Sequence, residues 1–410
     1  MNNVNIQEII DNGYCLGCGL CVSVIGKNRL RIVENKQGFL VPLIDNKQGI
    51  TYDRRFCPGI TLRQSILKKG ERKIYGPFKE LRAGFSSDVA IRTRASSGGV
   101  ITSLLCYLLD KSIIDGVLHA GKDLSNPVRT AAYFSRTKEE VISRCGSRYA
   151  PSSLLTDLVG ILENGYKIAV VGKPCDIAAV KSFLNENNKY QKQVVLTISF
   201  MCMGMPSYNG TYKLIRKLGC EVDEVGDFWY RGNGWPGKAT AIDKQGNMHT
   251  CSYEESWGNI LCNLVNFRCK ICPDGYGEFA DLSCGDAWYL KNGAPSFEET
   301  EGRSLLFVRT DQGESVYRKA AVNGYIKTED FNIDELKFSQ ASQYHRKLVV
   351  GARYMALKVM GDSLLDMSGF DYFDNLRKAG LMLAVKNFTG MCKRRAVQIW
   401  QRIKGKLFYE

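Results

Sequence analysis

From about residue 80, the apolar and polar positions alternate between two regimes. Short runs that are apolar almost throughout, Gly116-Val117-Leu118-His119-Ala120, Lys167-Ile168-Ala169-Val170-Val171-Gly172 and Gln193 to Phe200, read as strands buried on both faces. Between them lie segments of helical spacing: Val100 to Leu109, Ser152 to Leu162, a helix beginning at Lys173-Pro174-Cys175, and one from Pro206 through Leu218. Ser304 to Val308 reads as a further strand and Glu314 to Val322 as a helix. Strand–turn–helix repeats with apolar strands predict an α/β sheet covered on both faces, with ligands gathered where strands end.

The flanks follow other patterns. Before residue 75, Leu30 to Val33 and Phe39 to Pro42 read as short strands, Asn46-Lys47-Gln48-Gly49 as a turn, and Lys68 to Lys73 as a charged linker with Gly76-Pro77 behind it. Residues 222–262 read as β structure, with Arg231 to Gly237 by default a Gly/Trp-rich surface hairpin. From Leu381 to Leu407 apolar residues recur at 381, 385, 388, 392, 396, 399, 403 and 407, a helical stripe weakened by Gly390. The opposite face carries Lys386, Lys393, Arg394, Arg395, Arg402, Lys404 and Lys406. The division predicted is 1–75, 76–345 and a helical, basic extension at 346–410.

Composition narrows the class. The chain has 410 residues, 44% hydrophobic, with a net charge of +14 and 15 cysteines. No apolar run is long enough to span a bilayer, and Met-Asn-Asn-Val-Asn is no signal region. The expected location is the cytoplasm, where thiols stay reduced and many cysteines in a long chain are metal ligands. The positive charge suits an acidic electron carrier or an anionic lipid surface. No nucleic-acid motif occurs, so nucleic acid is not an expected partner. The 381–407 helix either packs on the body or, with Trp400 and Phe408, lies at the inner face of the membrane.

The sharpest chemistry is Cys15-Leu16-Gly17-Cys18-Gly19-Leu20-Cys21 with Cys57-Pro58 further on. A [4Fe–4S] cube needs four thiolates converging from different directions, and C-x2-C-x2-C with a Cys-Pro is the ligand pattern of a bacterial ferredoxin module. Gly17 and Gly19 do not crowd the cube and can take positive φ. A zinc site or disulfides use the same residue types, but three evenly stepped thiols with Cys-Pro favour a cluster. No second such run accompanies Cys57, so Cys15, Cys18, Cys21 and Cys57 are expected to hold one cube. A second set is less defined. Cys269-x2-Cys272 precedes a proline, Cys175 follows one strand and Cys202 another, and Cys284 is a fifth candidate. By residues alone these are ligands or small buried hydrophobes. Ser96-Ser97-Gly98-Gly99 at a helix start suits a phosphate or is a plain cap.

Several motifs in order carry a resemblance: Ser96-Ser97-Gly98-Gly99-Val100, Gly146-Ser147-Arg148-Tyr149, Gly172-Lys173-Pro174-Cys175-Asp176, Cys202-x-Gly204-x-Pro206-Ser207, Cys269-x2-Cys272 and Ala280-Asp281-Leu282-Ser283-x-Gly285-Asp286-x-Trp288. The chain resembles the coenzyme F420 hydrogenase/dehydrogenase beta-subunit family over roughly residues 10–345. The resemblance implies an iron–sulfur flavoprotein with FAD beside [4Fe–4S] clusters. It implies Cys175, Cys202, Cys269 and Cys272 as second-cluster ligands, with Cys284 in reserve. It implies flavin contacts from Ser96, Ser97, Gly98, Gly99, Gly146, Ser147, Arg148, Tyr149, Gly172, Lys173 and Pro174. The family often has Thr before its Pro-Cys and Gln after; Lys173 and Asp176 stand there instead.

The fold expected is a ferredoxin-like iron–sulfur module, a flavin-binding α/β domain and a C-terminal helical extension. The function expected is an oxidoreductase relaying electrons from ferredoxin or a similar donor through two [4Fe–4S] clusters to FAD and an organic substrate, such as a glycan precursor in surface-polysaccharide synthesis. The alternatives are a non-catalytic electron-transfer subunit of a larger complex and a deazaflavin-dependent dehydrogenase subunit.

Overall fold

A computed structural model describes residues 3–44, 49–64 and 73–407. Most of the turn expected at Asn46–Gly49, most of the linker expected at Lys68–Lys73, and Phe408 lie outside the described residues. The organising element is an eight-stranded mixed sheet. We number its strands β1 (Glu80–Ser86), β2 (Gly116–Lys122), β3 (Thr130–Ser135), β4 (Ile168–Gly172), β5 (Val194–Phe200), β6 (Leu282–Asp286), β7 (Ser304–Val308) and β8 (Ile326–Asp330). Their spatial order is β8-β1-β7-β6-β5-β4-β2-β3. The centre, β2-β4-β5-β6, is parallel; β3 on one side and β7, β1 and β8 on the other run antiparallel to their neighbours.

The helices are α1 (Val100–Asp110), α2 (Pro174–Glu186), α3 (Tyr208–Lys217), α4 (Asp311–Val322), α5 (Ala341–Val359) and α6 (Leu381–Leu407), with shorter ones between. Strand side chains alternate between faces. Val117, Ala169, Leu196 and Ile198 pack with α1 and α4 on one side. Leu118, Ile168 and Val170 pack with α2 and with Leu20, Tyr52 and Phe56 of the N-terminal segment on the other. Both faces are therefore covered, and the polar side chains of the central strands, such as Thr197, Ser199 and Ser283, are buried.

Several local expectations need correction. The helix expected over Ser152–Leu162 exists only from Leu158 to Glu163. Its front half turns aside to hold the cysteine loop: the Ser153 hydroxyl donates to Gly17 O at 2.9 Å and Leu155 N–H to Cys18 O at 2.8 Å. Residues 222–262 form strands at Val225–Trp229, Ala239–Asp243 and Met248–Cys251, but Glu254–Ile260 is helical. The surface hairpin is overturned: Arg231 is 3% and Trp235 2% exposed.

The C-terminal segment does not stand off as an extension. Helix α5 runs through the expected 345/346 boundary. Asp366–Ser368 pairs in parallel with Thr61–Arg63. Helix α6 forms as expected, but only part of the expected stripe faces inward. Phe388 and Cys392 of the stripe pack on the core with Met391, and Arg395 is buried, whereas Leu381, Val385 and Ile399 of the stripe are exposed. The cause is polar: Arg395 donates to Asn12 Oδ1 at 2.7 Å and Gln398 to Asn12 O at 3.1 Å, which fixes the helix rotation. Among the described residues no helix is long and apolar enough to cross a membrane.

Candidate functional site

The N-terminal thiols sit on backbone that only glycine permits. Gly17 has φ +63°, and a Cβ there would lie 2.4 Å from Leu40 O. Gly19 has φ +85° and begins the short helix Leu20–Ile25. Cys57 closes the tight turn Arg54–Phe56. Cys15, Cys18, Cys21 and Cys57 together line one cavity of about 30 Å³ with Tyr52, Phe56 and Pro58. Behind it Arg268, fully buried, donates to Gly59 O at 2.5 Å and Pro58 O at 3.0 Å, tying the Cys-Pro turn to the segment that carries Cys269.

The second set assembles from three elements. Cys175 is in the first turn of α2, Cys202 follows β5, and Cys269 lies within, and Cys272 just after, the helical turn Phe267–Ile271. Cys175 senses Cys202 and Cys272, and Cys269 senses Cys202 and Cys272. Cys284 stands apart: it lies in β6, burial alone pushes it up to about 12, and it packs in the core beneath α1. Leu16, Phe39 and Met205 pack with Cys269 and Cys175 and fill the space between the two sets. The Asp176 carboxylate acts on both Cys18 and Cys175.

Burial pushes Cys15 up to about 12, and burial followed by Cys202 does the same to Cys269. Thiolates held this deep need a positive centre. Among the described residues no three His, Cys, Asp or Glu side chains are gathered tightly enough for a single metal ion. Cys15, Cys18, Cys21 and Cys57 surround one cavity, the convergent arrangement a multi-iron cluster needs.

At the carboxyl ends of β2, β4, β5 and β6 lies a cavity of about 310 Å³. Of the residues expected around a flavin, Ser96, Ser97, Gly99, Gly146, Ser147, Arg148, Tyr149, Gly172 and Lys173 line it, as do Cys202 and Cys284. Gly98 and Pro174 are not on its wall. The serines do not cap α1, whose first cap is Gly99 at φ +77°. Ser96 Oγ accepts Ser147 N–H at 2.7 Å, and Ser97 Oγ donates to Arg303 O at 3.0 Å. Gly98 N–H donates to Ser304 Oγ at 2.9 Å and so is not free for a phosphate. Arg148 is spent on backbone carbonyls, donating to Arg129 O at 2.7 Å and Pro127 O at 2.9 Å.

The cavity's charge comes from two buried pairs. Lys173 Nζ is 2.7 Å from Asp176 and donates to Ser152 Oγ at 3.0 Å. Burial opposes the Lys173 charge, but Asp176 and then Cys175 more than offset it and hold the ammonium above the ordinary lysine range. Arg231 donates two hydrogen bonds to Asp286, at 2.9 and 2.8 Å, and Trp235 Nε1 donates to the same carboxylate at 2.7 Å. Its guanidinium lies 4.7 Å from the Tyr253 ring centre and 5.1 Å from that of Trp288. Trp288 stacks on Trp235 at 4.6 Å. Tyr253 and Trp288 were missed as cavity residues, and Arg231, weighed with Asn233 and Trp235 as a substrate contact, was set aside for a surface hairpin.

The cavity fits a flat cofactor. Its walls include Leu105, Val141, Met201 and Trp288, the buried Lys173 and Arg231 border it with their paired carboxylates, and Arg144, also on its wall, keeps a buried Nε with no hydrogen-bond partner. Its size is that of an ordinary small-molecule site.

Comparison with known proteins gives a consistent result. Residues 82–158 match the N-terminal part, and residues 165–334 the C-terminal part, of the family described as coenzyme F420 hydrogenase/dehydrogenase, beta subunit. An uncharacterised protein of Methanocaldococcus jannaschii is 28% identical over 80% of this chain and 92% of its own length. The coenzyme F420 hydrogenase subunit beta of Methanococcus voltae is 27% identical over 64% of this chain and 88% of its own. The coenzyme F420-dependent sulfite reductase of M. jannaschii is 23% identical over 84% of this chain, which spans 51% of that protein. In fold, the chain is similar to a chain of the F420-reducing [NiFe] hydrogenase complex from Methanosarcina barkeri, with a TM-score of 0.56 at 20% identity, covering 73% of this chain and 98% of that one. With both halves matched in order over more than half of the sequence, the chain belongs to the coenzyme F420 hydrogenase/dehydrogenase beta-subunit family.

Proposed function

We propose that the protein is an iron–sulfur flavoprotein oxidoreductase in which two thiol sets and a flavin cavity form a relay. The observation that carries this is the sequence in space: Cys15–Cys57, then Asp176 and Leu16, then Cys175–Cys272, then a cavity bordered by Cys202. In this reading residues 1–75 act as a ferredoxin-like module and 76–345 as the flavin domain. Cys15, Cys18, Cys21 and Cys57 hold one [4Fe–4S] cube, and Cys175, Cys202, Cys269 and Cys272 the other.

FAD, when bound, supplies the junction between one-electron transfer and two-electron chemistry. Ser97, Gly99, Gly146, Ser147, Tyr149 and Gly172, which line the cavity, would surround it. Lys173 keeps a fixed positive charge beside it, paired to Asp176 so that the cation persists in a buried place. Arg231 and Trp288 offer a cationic and aromatic wall to an organic substrate. The electron donor is ferredoxin or a similar carrier.

The chain purified without oxygen should contain about eight irons and release FAD on denaturation. About eight irons with no flavin would overturn the flavin assignment; zinc in place of iron would overturn the relay. A second reading, that the cavity serves a deazaflavin within a larger redox complex, draws support from relatives named for coenzyme F420 hydrogenase. Reduction of that deazaflavin by the dithionite-reduced chain, read as loss of its visible absorbance, separates the two.

A further inference from the structure

Outside the cavity, a second hollow of about 560 Å³ opens beside the second thiol set. Lys270, His345, Arg346, Arg353 and Arg394 border it, Cys269 lies at its edge, and no acidic side chain lines it. Some cations elsewhere are paired with acids, as in Arg63–Asp366 and Arg303–Glu329. Here the acceptors are neutral. Arg353 donates to Asn387 Oδ1 at 2.8 Å and Lys270 O at 3.0 Å, and Arg346 to Cys202 O at 2.6 Å. Burial, then Arg394 and Arg346, lower Arg353 to about 10, which registers the crowding of like charge. His345 is lowered by burial, then Arg353 and Lys386.

Position gives the charge a purpose. Arg346 and Arg353 grip the backbone on which Cys202 and Cys269–Cys272 are carried, and Cys269 is on the hollow's wall, so the hollow lies directly beside that set. His345 and all three arginines come from residues beyond 334, where the family match ends. A broad, open basin of cations steers and orients an acidic protein surface. A small anion resting there has no electron to exchange.

We propose that this hollow is the docking face for an acidic one-electron carrier protein that exchanges electrons with the second thiol set directly. In the reducing direction the carrier loses one electron and the metal centre held by Cys175, Cys202, Cys269 and Cys272 gains one; no bond or proton moves. The proposal rests on the reading of those four cysteines as cluster ligands. It adds an exchange point at the second set to the one at the Cys15–Cys21 end of the relay.

The test is direct binding of an acidic bacterial ferredoxin to the iron-loaded full chain, by calorimetry at low and high salt, with iron counted in every sample. Lys270→Glu with Arg394→Glu should weaken binding on the order of tenfold or more. Arg394→Glu alone, on the exposed side of α6, should weaken it in the same direction without touching the thiol loops. Lys319→Glu with Lys327→Glu, an equal charge change on the far edge of the sheet, should leave it unchanged. Equal losses from both double variants, or no binding by an iron-replete chain, would overturn the docking face. Displacement of all bound ferredoxin by low inorganic phosphate would also overturn it, as the mark of a small-anion site. About four irons with binding intact would instead overturn the ligand reading and leave the docking face standing.

Discussion

His119 shows how one buried side chain sets a pH limit on the fold. It points from β2 to the cavity wall and hydrogen-bonds Ser135 Oγ at 2.7 Å. Burial first, and Arg144 second, lower its pKa from 6.5 to about 4. Between those values the unfolded chain holds a proton there that the folded chain does not, so stability falls as pH drops through that window and levels off below it. The loss reaches up to about 3 kcal/mol at 1.36 kcal/mol per unit. Urea midpoints measured from about pH 7 down to about pH 4.5 should fall, and His119→Gln should flatten the slope; an unchanged slope would assign the loss to other groups. The same scale explains what a sequence displays. Cys15, Cys18 and Cys21 are neighbours in the chain as well as in space, so their chemistry is local pattern. Arg231 and Asp286 are 55 positions apart, and their partnership exists only after the sheet forms. Read alone, Arg231 is a residue in a glycine-rich turn.

At the scale of elements, the start of α1 decides how the cavity is built. The two glycines before it have different duties. Gly99 takes the left-handed conformation that turns the chain into the helix. Gly98 allows contact: a Cβ there would lie 2.5 Å from Gly84 O of β1 and 2.8 Å from Ser304 N of β7. Gly98→Ala must push α1 from the sheet and should cost roughly 1–3 kcal/mol, whereas Gly160→Ala, with nothing within 4 Å of its added Cβ, should not destabilise the fold. Equal unfolding midpoints for the two variants would refute this packing role. The helix α1 and strands β2, β4, β5 and β7 were legible because their apolar runs are continuous. β1, β6 and β8 were not: Glu80, Arg82, Asp286 and Glu329 break any apolar run, and β8, with pattern Ile326-Lys327-Thr328-Glu329-Asp330, is a polar edge. Polar edge strands block further pairing, and that same polarity hides them from a pattern search. Ser152–Leu162 had the helical period, but hydrogen bonds to Gly17 and Cys18 outbid its first half.

For the whole molecule, the consequential connection is between the two ends of the chain. Periodicity made α6 legible as a helix but extended its inner stripe too far, because the contacts that orient it are with residues nearly four hundred positions away. Arg395 and Gln398 bind Asn12, the Tyr14 hydroxyl donates to Asp362, and Arg54 donates to Leu364 O at 2.6 Å. Phe388, Met391 and Cys392 share one core with Tyr14, Ile60, Cys15 and Cys57. The last segment is thus a brace on the loop that carries the first thiol set. Leu381, Met382 and Val385, by contrast, remain exposed. These two faces make separable predictions. Ending the chain at Gly380 removes Met391 from a filled core and leaves Asp362 without Arg395, at a cost of at least roughly 3 kcal/mol. The shortened chain should therefore unfold at lower urea and give up the iron of the Cys15 loop to a chelator sooner than the remaining iron. Leu381→Glu with Val385→Glu alters only the outer face and should change neither measurement. A shortened chain with native stability and native iron release would show that the helix does not brace the loop. If the outer-face pair alone produced the loss, the inner and outer faces would have to be exchanged.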